Sequence, residues 1–233
     1  MSALARTSAD SLHGIHADVW HAHALASPVQ QVQATGDAVL DAQLPGGGWP
    51  VGALTEILQP VGVHCEWRLL LPALAHCGQG PVVLVAPPHV PFVPALAAQG
   101  LVAHRLLSVG AQPVGSRLWA CEQALRCADV DAVLAWLPQV RSDQLRRLQM
   151  AAAEHSKLLF VMRPASAFAD ASPAALRLQV QPQQEADALQ IHLLKRRGPP
   201  LDKPLHLQAR SARMQVQLAS SQAYALDRTA AFA

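Results

Sequence analysis

The stretch Leu44-Pro45-Gly46-Gly47-Gly48-Trp49-Pro50-Val51-Gly52-Ala53-Leu54-Thr55-Glu56-Ile57 decides how the rest of the chain is read. Three successive glycines permit a tight turn that side chains would block, and Gly52 permits another just before an apolar run. That run, 53–58, has the length and character of a buried strand. Upstream, Thr35-Gly36-Asp37-Ala38-Val39-Leu40-Asp41 leads into the turn. Downstream, Leu58-Gln59-Pro60-Val61-Gly62-Val63-His64-Cys65-Glu66-Trp67-Arg68 joins the strand to a helix predicted over 66–76.

Beyond that helix, short apolar runs alternate with amphipathic segments. Strands are predicted over 81–86, 104–108, 131–137 and 157–162, and helices around 94–99, 116–127 and 142–155. Parallel neighbours need crossover connections, and the crossovers cover the sheet, so this alternation predicts an α/β fold with helices on both faces of a mostly parallel sheet. After Pro164 the pattern changes. A small-residue loop over 165–173 precedes three strand-like runs, 175–180, 188–195 and 204–210, whose short connections predict antiparallel edge strands toward the C-terminus. Residues 1–34 read as an N-terminal helix (8–25) and linker, 35–210 as the α/β domain, and 211–233 as a flexible tail. Leu12, Ile15, Val19 and Trp20 give the N-terminal helix an apolar stripe, which either packs on the body or docks a partner.

Hydrophobic residues make up 51% of the 233, mainly Ala, Leu and Val, while aromatics make up 4%. That balance suits helices on a buried sheet better than an all-β sandwich. A formal net charge of +2 is too small to imply nucleic acid by itself. No run of about 20 apolar residues occurs, so no membrane span is expected. The N-terminal stretch lacks an apolar core followed by a small-residue cleavage site, which predicts a cytoplasmic chain. Cys65, Cys77, Cys121 and Cys127 lack CxxC spacing and read as reduced thiols. His13, His16, His21 and His23 lack the carboxylate or thiol of a zinc pattern, and no G-x-S-x-G elbow occurs. Neither a metal, a cofactor nor a catalytic residue is expected.

The segments Thr35–Asp41 and Leu44–Ile57 resemble the entry to a RecA-type ATPase core, in which the first core strand leads into a phosphate-binding loop. A working loop needs GxxxxGK[ST], with backbone N–H groups to cradle phosphate, Lys for the terminal phosphates and a hydroxyl for Mg²⁺. Here Gln59, Gly62 and His64 lie in a loop where Cys65 replaces the lysine and Glu66 the hydroxyl. Glu66 would repel phosphate. Trp136 stands where the fourth strand of such a core would carry a Mg²⁺-coordinating Asp. The expected domain is therefore a RecA-like core with a degenerate nucleotide loop and no ATP hydrolysis.

Residues 132–138, the helix after them and Leu159-Phe160-Val161-Met162-Arg163-Pro164-Ala165-Ser166 resemble the SulA-like cell-division inhibitors. Over roughly 29–210 the chain is more similar to the ImuA family of translesion-DNA-synthesis-associated proteins. The distinguishing run is Leu193-Leu194-Lys195-Arg196-Arg197-Gly198-Pro199-Pro200, a basic strand-to-turn extension that SulA-type inhibitors lack. That resemblance implies an SOS-induced accessory protein that contacts RecA and an ImuB-like polymerase-family protein. Through the latter it would serve an error-prone replicative-type DNA polymerase. The alternative is a SulA-like inhibitor binding the tubulin-like division protein.

Three basic features are candidate contact sites. Lys195, Arg196 and Arg197 precede a Gly-Pro-Pro turn that stops strand pairing, so they either meet an acidic partner or DNA phosphate or form a solvated edge; the family resemblance favours contact. Arg163 follows a buried strand and precedes a loop that, in RecA-type folds, faces single-stranded DNA or a neighbouring subunit. Arg141, Arg146 and Arg147 open a Leu-rich helix and read as solvated.

Overall fold

The computed structural model describes residues 31–110, 113–183 and 188–208. The helix expected over 8–25 and the tail expected over 211–233 lie outside them. Two-residue strands β1 (Val32–Gln33) and β2 (Trp49–Pro50) flank a one-turn helix, α1 (Ala38–Asp41). Then come β3 (Ala53–Gln59), α2 (Glu66–His76), β4 (Val82–Val85), α3 (Val93–Ala98) and β5 (Leu106–Val109). Next are α4 (Val114–Arg126), β6 (Ala132–Trp136), α5 (Ser142–Glu154) and β7 (Leu158–Pro164), and last β8 (Leu176–Gln183), β9 (Ala188–Lys195) and β10 (Leu205–Gln208).

Eight strands form one sheet in the order β10-β9-β8-β3-β7-β6-β4-β5. β3 lies parallel to β7 on one side and to β8 on the other, and β6, β4 and β5 continue in parallel beyond β7. β9 and β10 add antiparallel. This is the α/β class read from the sequence, and the strand order is compatible with a RecA-like core. β8 is the junction, parallel to β3 and antiparallel to β9.

The sheet separates two apolar layers. On one side Leu40 of α1, Leu70 and Leu74 of α2 and Leu96 of α3 pack with Ile57, Phe160 and Leu178. On the other, Leu118, Cys121 and Leu125 of α4 and Leu145 and Leu148 of α5 pack with Leu54, Val133 and Val161. Alternate residues of one strand thus serve opposite layers, the period of two that a strand imposes.

The entry motif is held by its own polar groups. Thr35 N–H donates to Asp41 Oδ1 at 2.9 Å, and Asp37 Oδ1 accepts from the N–H groups of Val39 and Leu40 at the start of α1. Gly36 has φ +87, and a Cβ there would lie 2.5 Å from Pro72 Cβ, so the loop touches α2 where only glycine fits. At Gly48 a Cβ would meet Gln33 O at 2.4 Å, inside the β1–β2 pairing.

A buried ion-pair network spans three strands. Glu56 on β3 is fully buried, faces Arg177 on β8 in register, and lies two residues diagonally from Arg163 on β7. Arg163 Nη1 donates to Glu56 Oε1 at 2.8 Å and Nη2 to Asp170 Oδ2 at 2.6 Å. Arg177 Nε sits 2.8 Å from Glu56 Oε2. The Arg177 guanidinium also donates to the carbonyls of Ala167, Phe168 and Asp170, clamping the 3-10 turn Ala165–Ala169 onto the sheet.

Four local features were not legible in the periodicity. α1, β1 and β2 are too short to show any. The stretch read as a strand over 104–108 begins with a 3-10 turn, Ala103–Arg105, before β5. That turn delivers Arg105 to the interior, where Nε donates to Gly80 O (2.8 Å), Nη1 to Leu74 O (3.2 Å) and Nη2 to Asp131 Oδ2 (3.2 Å).

Arg163→Ala should lower the unfolding free energy by about 3–5 kcal/mol, because it strands part of a buried carboxylate's charge. Urea denaturation checks this. Arg163→Lys keeps the charge but cannot reach Glu56 and Asp170 with two prongs, and should lose less.

Candidate functional site

In open α/β sheets ligands bind beyond the C-terminal ends of the strands. Here that end carries a cavity of about 480 Å³, lined by Gln59 at the end of β3, Ala86 after β4, Trp136 at the end of β6 and Met162–Pro164 of β7. A second cavity of about 400 Å³ adjoins it over α2 and α3, sharing His64, Pro88 and Trp136. Of the five loop residues singled out in the sequence, Gln59, Gly62 and His64 line the first cavity and His64 and Glu66 the second, while Cys65 lies behind them.

The loop is closed by its own side chains. Gln59, 5% exposed, accepts from the Cys65 N–H at 2.6 Å and donates from Nε2 to Glu66 Oε2 at 3.2 Å. The Val63 N–H is taken by Pro60 O, and Gly62 turns the chain with φ +77. Glu66, 2% exposed, is the first residue of α2, so a carboxylate already occupies the end of the helix where an anion is favoured. His64 Nδ1 stands 3.7 Å from Glu66 Oε1, and its ring meets His89 edge-on with centroids 4.8 Å apart. Burial and the neighbouring Glu66 push the Cys65 thiol up to about 11, which keeps it protonated and poorly nucleophilic.

Trp136 fills the position expected for a metal-coordinating acid. It is 8% exposed, lines both cavities, and its indole Nε1 has no hydrogen-bond acceptor among the described residues. Its place therefore rests on apolar packing. Chemically the site offers a carboxylate, an amide, imidazoles, the guanidiniums of Arg68, Arg117 and Arg163, and apolar walls, and the loop presents no lysine.

The basic candidates fall into different environments. Lys195 is exposed and its Nζ donates to Ser172 O at 3.1 Å, while Arg197 is exposed beside Gly198. Arg196 is half-buried, donating to Gln43 O and, at 3.0 Å, to Pro199 O, so it ties the strand-to-turn extension to the loop after α1. Arg163 is corrected: its side chain is 3% exposed and engaged by Glu56 and Asp170, so it supports the sheet instead of presenting a charge to a partner. Its partner lies 107 residues away in sequence, which is why the local pattern suggested a surface role. Arg141 pairs with Asp143 (3.1 Å) on exposed surface, and the exposed Arg147 pairs with the largely covered Glu122 (2.7 Å). Among the described residues no group of three or more His, Cys, Asp or Glu is placed to hold a metal, and no helix is long and apolar enough to cross a membrane.

Fold and site together define an α/β domain, compatible with a RecA-like core, in which the loop after β3 is closed by its own side chains. A scan against protein-family models finds no match. The chain is 27% identical over 111 residues to the cell division inhibitor SulA of Edwardsiella piscicida, a match covering 48% of this chain and 58% of that relative. This is distant, partial similarity to the SulA-like group. It supports that part of the sequence resemblance and does not reach the ImuA assignment.

All four cysteines are free; Cys65 and Cys121 are buried and Cys127 is exposed. Burial also pushes the Cys121 thiol up to about 12. With Ellman's reagent at pH 8, Cys127 should react first, and Cys65 and Cys121 only on unfolding. For Cys65 the thiolate fraction at that pH is about one in a thousand, rising as pH approaches 11. Fast labelling of Cys65 in the native chain would contradict the closed loop.

Proposed function

We propose that this chain is an SOS-induced accessory protein of translesion DNA synthesis, of the ImuA type. It would work in the cytoplasm by binding RecA and an ImuB-like polymerase-family protein, without hydrolysing ATP. The observation that carries the reading is the combination at two ends of one sheet. Beyond the end of β3, Cys65 and Glu66 stand where the resemblance expects the loop's lysine and hydroxyl, and at the end of β6 Trp136 stands where it expects a Mg²⁺-coordinating Asp. On the far side of the sheet, β9 and β10 extend it antiparallel, and β9 ends at an exposed Lys195, followed by the exposed Arg197 before Gly198-Pro199-Pro200. In this reading the core is a shaped surface, and the basic edge engages an acidic partner or DNA phosphate. Competition for partner surfaces is then the mechanism, and the error-prone replicative-type polymerase is reached through the ImuB-like protein.

A second reading is favoured by the similarity to SulA: a cell-division inhibitor that binds the tubulin-like division protein. The basic strand-to-turn extension is the feature it leaves without a role.

In a pull-down with RecA and the ImuB-like protein, Lys195→Ala combined with Arg197→Ala should weaken capture roughly tenfold, about 1.4 kcal/mol. Arg196→Ala is the structural control, since its guanidinium binds Gln43 O, and its effect should appear in melting temperature. Capture indifferent to the double change would remove the basic edge from the mechanism. Filamentous cells on overexpression would favour the division-inhibitor reading. For the nucleotide site, titration with Mg²⁺-ATP should give no saturable binding at micromolar concentration; saturation there would overturn the non-hydrolysing reading.

A further inference from the structure

The eight-stranded sheet ends at β5, and among the described residues no strand pairs with its outer side. Successive residues of a strand direct their N–H and C=O groups to opposite sides, so half of an edge strand's backbone polar groups point away from the sheet. One bond fixes which residues of β5 do so. Ala86 N–H donates to Val109 O at 2.9 Å, with Val109 opposite Val85 on β4. Val109 and Leu107 therefore turn their backbone groups to β4, and Leu106 and Ser108 turn theirs outward. β5 lacks the lysine, proline or bulge that commonly keeps such an edge single. From Leu106 to Gly110 the run has no charged residue and no proline, and its register with β4 is unbroken. Arg105, just before it, is turned inward to Asp131. Leu107 is apolar and 53% exposed. Leu106 serves the α2–α3 layer and Val109 the α4–α5 layer, so Leu107 lies on the same face as Val109.

We propose that this edge pairs antiparallel with β5 of a second copy of the chain, closing a two-fold dimer whose sheet is continuous through both copies. The backbone sets the register. In an antiparallel ladder, opposed residues alternate between pairs that exchange two N–H···O bonds and pairs that exchange none. With the two-fold axis at Leu107, Leu106 stands opposite Ser108 of the second copy and Ser108 opposite its Leu106. Every outward group of these two residues is then bonded. Leu107 meets its own counterpart in the pair without bonds, where Cα atoms approach to about 4.5 Å and side chains are closest. One contact thus covers the exposed leucine of both copies. Charge favours an identical occupant: the run is neutral, so a copy of itself meets no repulsion, and it holds no charge by which a partner of either sign would be selected. Such a contact is self-complementary and closes on itself instead of propagating. β5 lies at the opposite end of the sheet from β9 and β10, so the inference is independent of what the basic turn after β9 binds. Four residues make a small contact, and the dimer should therefore depend on concentration.

Sedimentation velocity of the full chain over a range of concentrations should show monomer and dimer and no larger species. Ser108→Pro removes an outward N–H and leaves the bonds of Leu107 and Val109 to β4 in place. Its melting temperature should hold while dimer affinity falls by about tenfold or more. Cross-linking reads the register separately, in a Cys127→Ser background that removes the exposed native thiol. Leu107→Cys should give a disulfide-linked dimer on oxidation, because its counterpart lies directly opposite. Ser108→Cys should not, since its counterpart lies on the diagonal, about 7–8 Å away. If Ser108→Pro lowers the melting temperature, the two cross-links decide. A chain that is monomeric at every concentration would overturn the proposal. So would a dimer indifferent to a stably folded Ser108→Pro, linkage through Ser108→Cys in preference to Leu107→Cys, or growth into open-ended species.

Discussion

Glu56 lies fully buried in the middle of the sheet, and a carboxylate removed from water persists only with partners that repay its desolvation. Those partners are Arg163 and Arg177, brought from β7 and β8 to the same face of β3. Much of the architecture follows from this requirement. β3 must lie between β7 and β8, and their registers must place both guanidiniums within reach. The turn Ala165–Ala169 must lie over the pair, because Arg177 needs its carbonyls as acceptors. A slip of one residue in any of these strands would turn a charged side chain to the opposite, apolar layer. The network is therefore a constraint on register more than a source of net stability.

The same strand that carries Glu56 ends at Gln59, and there the chemistry changes character. Gln59 uses its amide to satisfy Cys65 and Glu66, and Trp136 and a set of prolines supply the surrounding walls. A phosphate site requires backbone donors and a cation at the helix start. This one supplies a carboxylate at the helix start and apolar surface at the strand ends. The scaffold that positions a ligand at the end of a parallel sheet is present, and the groups displayed on it suit apolar contact.

Much of the fold was legible in the chain. β3, β4, β6 and β7 are short apolar runs, and α2, α4 and α5 show helical spacing, so each revealed itself locally. The reading of the loop as a degenerate nucleotide site rests on the resemblance alone, in which Cys65, Glu66 and Trp136 occupy positions where other residue types have a definite chemical duty. Arg163 was misread for a physical reason: an arginine after a buried strand, before Pro164 and small residues, is locally indistinguishable from a surface arginine. Its burial depends on Glu56, and that pairing is long-range. Arg105 escaped notice likewise, since its acceptors come from Leu74, Gly80 and Asp131. Arg196 sits in a basic run that reads as uniform, yet its contact with Gln43 O separates it from Lys195 and Arg197.

By itself the sequence determined the longer secondary elements and the α/β layering, because each depends on local periodicity. Only the tertiary structure decided what their residues face. Glu56 and Arg163, both legible as members of motifs, became an ion pair when β3 and β7 came together. Five prolines scattered from Pro60 to Pro164 became one cavity wall when the strand order placed β3, β7, β6 and β4 side by side. Adjacency in a parallel sheet is set by crossovers through intervening helices, so neighbours in space are distant in sequence. The loop read as a lost nucleotide site borders, once folded, two adjoining cavities.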